Sequence, residues 1–156
     1  MKIMVVYASR RGSTAKVAQA IAEVFGTTAK RPDEILPEDM TDVDLLFAGS
    51  GVYFGRMGQD LEGLLTRLPL DYARGAAVFC TYQHYNTLTL RHITDTLTMR
   101  GIPIIGKFSC CGRYYFLKRN HPNEMDLYNA KEFARKIADQ FLTSAPLPRM
   151  NWQERA

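Results

Sequence analysis

Five short apolar runs along this chain alternate with segments of helical periodicity. Residues 2–7 (Ile3, Met4, Val5, Val6), 44–50 (Leu45, Leu46, Phe47, Ala48), 75–81 (Ala76, Ala77, Val78, Phe79, Cys80) and 102–111 read as buried strands, and 27–30 as a weaker one. Between them, Val17, Ile21, Val24 and Phe25 share one face of an expected helix over 13–25. Leu61, Leu64, Leu65 and Leu68 repeat at helical spacing, as do Leu90, Ile93 and Leu97. A last helix, over about 124–142, turns Leu127, Ala130, Ala134, Ile137, Ala138 and Phe141 inward. Apolar strands separated by amphipathic helices imply a parallel sheet covered on both faces. Right-handed crossovers leave few topologies for it. A chain of 156 residues forms one domain with a core that needs no covalent staples. That domain is expected over 1–143, with 144–156 (Pro146, Pro148 and Trp152) as a C-terminal tail.

The three cysteines, Cys80, Cys110 and Cys111, lack the spacing of a disulfide framework or a metal knuckle and are expected as strand thiols. No metal ligand set is expected. No apolar run approaches a membrane span and no signal-peptide pattern opens the chain, so a cytoplasmic protein is expected. Net charge is +4, from 20 basic and 16 acidic residues. No dense Lys/Arg tract is interleaved with aromatics, and a nucleic-acid partner is not expected.

Chemistry concentrates where strands give way to helices. The first such turn reads Ser9-Arg10-Arg11-Gly12-Ser13-Thr14. A helix N-terminus carries unpaired N–H groups and partial positive charge, so a strand running straight into one makes an anion site. Hydroxyls at Ser9, Ser13 and Thr14 add donors, and Gly12 lets backbone approach a ligand. The same residue types often serve only as a helix cap. The loop after the third expected strand holds Gly49 to Gly58, with Tyr53 and Phe54 adjacent. The loop after the fourth holds Thr81, Tyr82, Gln83, His84 and Tyr85. Ligands of open α/β sheets sit at the carboxyl ends of the strands. A phosphate cradle beside two aromatic loops suits a flat ring with a phosphate tail.

With these motifs the chain resembles the flavodoxin family. Ser9, Gly12 and Thr14 match that family's hydroxyl–glycine phosphate loop, while Arg11 departs from it. The stretches VYASRRGSTAKVAQAIAE and FAGSGVYFGRM are similar to the branch that also contains protoporphyrinogen oxidases, and HPNEMDLYNAKEFA to a flavodoxin last-helix entry. The resemblance covers about residues 1–142. It implies a doubly wound five-stranded parallel sheet of order 2-1-3-4-5 with helices on both faces, and FMN as cofactor. Carried over by position, Ser9, Arg10, Arg11, Gly12, Ser13 and Thr14 hold the phosphate. Ser50, Gly51, Val52, Tyr53, Phe54 and Gly55 form the first ring loop, and Thr81, Tyr82, Gln83 and Tyr85 the second. No large insertion follows the fifth strand.

Flavodoxin rims are typically acidic, yet residues 9–14, 49–58 and 80–92 contain no Asp or Glu. They carry Arg10, Arg11, Arg56, Arg91, His84 and His92. A positive rim favours a negatively charged reduced flavin and attracts an acidic redox partner or an anionic substrate. The leading expectation is an electron carrier with no catalytic residues of its own, serving a redox partner protein. The alternatives are an FMN-dependent oxidoreductase of the same fold, such as a quinone-linked protoporphyrinogen dehydrogenase, and an interaction module without flavin.

Overall fold

The computed structural model describes residues 1–83, 87–112 and 120–144. The tail from 145 onward lies outside the described residues. In chain order the elements are β1 (Ile3–Ala8), α1 (Ser13–Val24), β2 (Val43–Gly51), α2 (Gln59–Thr66), β3 (Ala73–Tyr82), α3 (Leu88–Met99), β4 (Ile104–Cys111) and α4 (Glu124–Thr143). Two short 3₁₀ turns, Pro32–Glu34 and Pro37–Met40, lie between α1 and β2.

Strand alternation sends successive side chains to opposite faces, and each face meets its own helix pair. Met4, Val6, Leu46, Ala48 and Val78 pack with Leu61 and Leu65 of α2 and with Ile93 and Leu97 of α3. Val5, Leu45, Phe47, Ala77 and Phe79 pack with Val17 and Ile21 of α1 and with Ala134 and Ile137 of α4. Phe47 is fully buried, with ring centroids of Phe25 at 5.5 Å and Phe133 at 6.3 Å. Burying such a side chain contributes about 1.5–3 kcal/mol.

The described sheet has four parallel strands in the order β1-β2-β3-β4, not five in the order 2-1-3-4-5. The expected strand over 27–30 is reduced to one parallel bridge, Val6 with Lys30. Tyr7 N–H donates to the Lys30 carbonyl at 3.1 Å, and Lys30 N–H donates to the Val5 carbonyl at 2.9 Å. Both ends of this segment are committed elsewhere. Gly26, at φ 64°, closes α1 in a left-handed cap, and Thr27 N–H donates back to the Ala22 carbonyl, as such caps require. Pro32 then opens a 3₁₀ turn and has no N–H to give a ladder. An ion pair anchors the segment: Lys30 Nζ lies 2.7 Å from Asp39 Oδ2. Burial raises the Asp39 carboxyl, but donors from Lys30 and the Leu36 amide outweigh it and hold the carboxyl below its ordinary value. The pair's support is therefore present at neutral pH and lost as pH falls through that lowered range.

Asn123 caps α4 as its side chain suggests: Asn123 Oδ1 accepts from Asp126 N–H, and Asp126 Oδ2 accepts from Asn123 N–H, both at 2.9 Å. His121 Nδ1 lies 2.7 Å from the same Asp126 carboxylate oxygen, which gives His121 a structural place at the helix entry.

Candidate functional site

All four described strands run parallel and point their carboxyl ends to one edge, where a cleft opens. Ser9, Arg10, Arg11, Ser13, Thr14, Gly51, Val52, Tyr53, Thr81, Tyr82, Gln83 and Gly112 line it. Three loops far apart in sequence therefore meet, and eleven of these twelve residues were expected from sequence. Gly112 was not. Its N–H donates to the Tyr82 carbonyl at 2.8 Å. A Cβ there would sit 3.3 Å from the Cβ atoms of Ser13 and Thr81, so the glycine lets β4 come down against the first turn. Its position directly after an apolar strand was the available signal.

Gly12 precedes α1 in a left-handed conformation (φ 89°, ψ −7°) and, having no side chain, does not itself cap the helix. Two of the loop hydroxyls are engaged elsewhere. Ser9 Oγ accepts from Gly12 N–H at 3.0 Å. The Thr14 and Thr81 hydroxyls pair with each other at 2.7 Å, both buried. The N-cap position itself falls to Gly12 and not to a hydroxyl residue. A helix N-terminus carries about half a positive charge and is suited to an anion.

Tyr53 ties the first two loops together. Its Oη accepts from Arg10 N–H at 2.9 Å, and the Arg10 guanidinium lies 4.3 Å from the ring centroid, a cation–π contact. Burial pushes the Tyr53 phenol above its ordinary value, against the lowering effect of Arg10, so the phenol stays protonated at neutral pH. Gly51 makes room, since a Cβ there would lie 2.8 Å from the Tyr53 hydroxyl.

Ser50, Phe54 and Gly55 do not line the cleft. Ser50 is fully buried and closes the loop's base: its hydroxyl donates to the Gly51 carbonyl at 2.7 Å and accepts from Gly58 N–H at 2.9 Å. Tyr53 and Arg56 exchange two backbone hydrogen bonds, at 3.0 and 3.1 Å, around Phe54 (φ 54°) and Gly55 (φ 75°). Two positive φ values at the centre make a tight mirror-image turn, which throws Phe54 fully into solvent. Gly12, the N-cap of α1, shapes the first turn. Tyr85 and His84 lie outside the described residues.

Two of the arginines expected on the positive rim are paired with carboxylates. Arg56 Nη2 lies 2.8 Å from Glu62 Oε1, and Arg91 Nε lies 3.8 Å from Asp95 Oδ2. Both carboxylates stand just outside the loops, on α2 and α3. His92 accepts at Nδ1 from Met57 N–H at 3.2 Å. Among the described residues, the cationic ones bordering the cleft are Arg10 and Arg11. Burial raises the Cys80 and Cys110 thiols to about 12, which makes them unreactive core groups. Cys111 is half-buried.

A helix N-terminus, a bridging tyrosine and two further loops thus meet at the carboxyl edge of a parallel α/β sheet, where open α/β sheets place their ligand sites. The family model described as Flavodoxin domain matches residues 4–93, and the chain belongs to that family. It is 30% identical over 148 residues to an uncharacterized protein of Methanocaldococcus jannaschii, covering 88% of this chain and 98% of that one. Among solved structures, a short-chain flavodoxin associated with a non-canonical PDU bacterial microcompartment aligns with TM-score 0.70 and 18% identity, over 90% of this chain and 99% of that one. Flavodoxin 2 from Bacillus cereus aligns with TM-score 0.67 and 21% identity, over 90% and 99%. Rubredoxin oxygen:oxidoreductase from Desulfovibrio gigas aligns with TM-score 0.73 and 19% identity, over 92% of this chain but 37% of that longer one. At these identities the structural likeness speaks for the fold. No helix among the described residues is long and apolar enough to cross a membrane.

Proposed function

We propose that this protein binds FMN at the carboxyl edge of the sheet and passes electrons between redox partner proteins. The observation that carries the reading is the start of α1 on left-handed Gly12, beside Tyr53 and Tyr82 at one cleft. In this reading Ser9, Arg10, Arg11, Gly12, Ser13 and Thr14 hold the phosphate through the helix N-terminus and its flanking charge. Gly51, Val52 and Tyr53 face Thr81, Tyr82 and Gln83 across the ring site, with Gly112 flooring the cleft. When bound, FMN supplies the redox chemistry; the residues bind it, orient it and shape the field around it. Neither a nucleophile nor a proton-transfer pair among the lining residues is needed for that role. Arg10 and Arg11, which border the cleft, are the charges that favour an acidic partner surface over this edge.

The test is an anaerobic dithionite titration of the FMN-loaded protein, followed by absorbance. Two separated one-electron steps are expected of a carrier. A single two-electron step counts against the carrier role, and failure to take up FMN counts against the whole reading. Association with an acidic partner is expected to slow as salt is raised; a rate indifferent to ionic strength contradicts the proposed charge complementarity.

A further inference from the structure

One histidine holds the tyrosine-bearing loop without touching the cleft. His92, on α3, accepts a hydrogen bond at Nδ1 from the Met57 amide at 3.2 Å. Thr89, one turn earlier on the same face, donates its hydroxyl to the Arg56 carbonyl at 3.4 Å. Met57 is buried and follows directly on the hairpin that Tyr53 and Arg56 close. The loop is thereby fastened to α3 at two consecutive residues.

The acceptor role fixes the histidine's protonation. A ring nitrogen that receives an N–H cannot itself carry a proton, so Nε2 bears it. That N–H faces Glu62 Oε1 on α2 at 3.4 Å. Arg56 Nη2 also lies 3.4 Å from Nε2, but two donors cannot bond each other, and this arginine is instead paired with Glu62. The groups facing the ring among the described residues are therefore Met57 N–H, Glu62 and Arg56. On its own helix the nearby Arg91 and Asp95 pair with each other. Protonation at Nδ1 turns the acceptor into a donor pointed at a donor, and the Met57 bond must break.

We propose that neutral His92 is a positioning residue for the loop carrying Tyr53, and that its protonation releases this loop. The consequence for cofactor affinity rests on the FMN reading above; the latch itself does not. In the cofactor-free protein, hydrogen exchange at the Met57 amide, corrected for intrinsic rate, is expected to quicken about fivefold to tenfold as pH falls from about 8 to about 5. His92→Asn sets its Oδ1 where Nδ1 stood and does not titrate, so it keeps slow exchange across that range. His92→Gln carries its acceptor one atom too far and, like His92→Ala, exchanges quickly at every pH. FMN affinity follows the same pattern in all four proteins. A flat wild-type profile at Met57, or an Asn variant that behaves like the Ala variant, overturns the proposal. Exchange at Met57 that follows the pattern in a protein that takes up no FMN upholds the latch and overturns the cofactor reading alone.

Discussion

Tyr53→Ala is expected to weaken FMN binding about a hundredfold while leaving the protein folded. Three effects add. The Arg10 amide loses its acceptor, which costs on the order of 1 kcal/mol. The Arg10 guanidinium loses the ring it covers, worth about 0.5–1 kcal/mol at a partly exposed site. A planar ligand loses an aromatic neighbour, worth about 1–3 kcal/mol in comparable base–aromatic contacts. At 1.4 kcal/mol for each factor of ten, the lower part of their summed range of about 2.5–5 kcal/mol already gives that ratio. Tyr53→Phe removes only the first effect, and a loss of about fivefold is expected. Fluorescence-quenching titration measures both variants. Equal losses in the two would mean that the hydroxyl's grip on the Arg10 amide, and not the ring, sets affinity.

Gly12→Asp is expected to abolish useful FMN binding, at least a hundredfold, with little change in stability. A Cβ at Gly12 meets nothing within 4 Å, so the side chain fits. The left-handed backbone costs a non-glycine residue about 1–2 kcal/mol. A carboxylate beside the open start of α1 recovers about 0.3–1 kcal/mol from the helix dipole. The same carboxylate repels a phosphate: at about 4 Å and an effective dielectric near 20, each pair of charges costs about 4 kcal/mol before screening. Gly12→Ala carries the backbone cost without the charge and is the control. Thermal denaturation and FMN titration on both variants separate strain from repulsion. If Asp and Ala lose the same affinity, the first turn is not an anion site.

How much of this was legible in the chain depends on the range over which each feature is decided. The two-faced core follows from strand alternation and helical spacing, both local. Leu46 and Phe47 fall in opposite clusters because neighbours on a strand must, and no distant partner has to be known to see it. The Asn123 cap is equally local. The expected second strand failed on competition: Gly26 and Pro32 set the conformation on either side, and only Lys30 was left to pair. The pairing of the Thr14 and Thr81 hydroxyls joins residues 67 positions apart, and no spacing rule announces it. Phe54 belongs to the ring loop by position in the family pattern, and that pattern carries no backbone angles; two successive positive φ values turn its side chain into solvent. The rim charge was overcounted because loops were read without their flanks. Asp95 stands four residues after Arg91 on one helix, a pairing that helical spacing does foretell, whereas Glu62 reaches Arg56 through the fold of the loop.

The measurement closest to the central claim is a calorimetric titration of the protein with FMN and, separately, with riboflavin, which shares the ring and lacks the phosphate. One-to-one FMN binding is expected, with riboflavin weaker by about a hundredfold or more, since charge-assisted bonds to the phosphate contribute about 1.5–3 kcal/mol each. Equal affinity for the two would contradict the assignment of the helix start at Gly12 as the phosphate site.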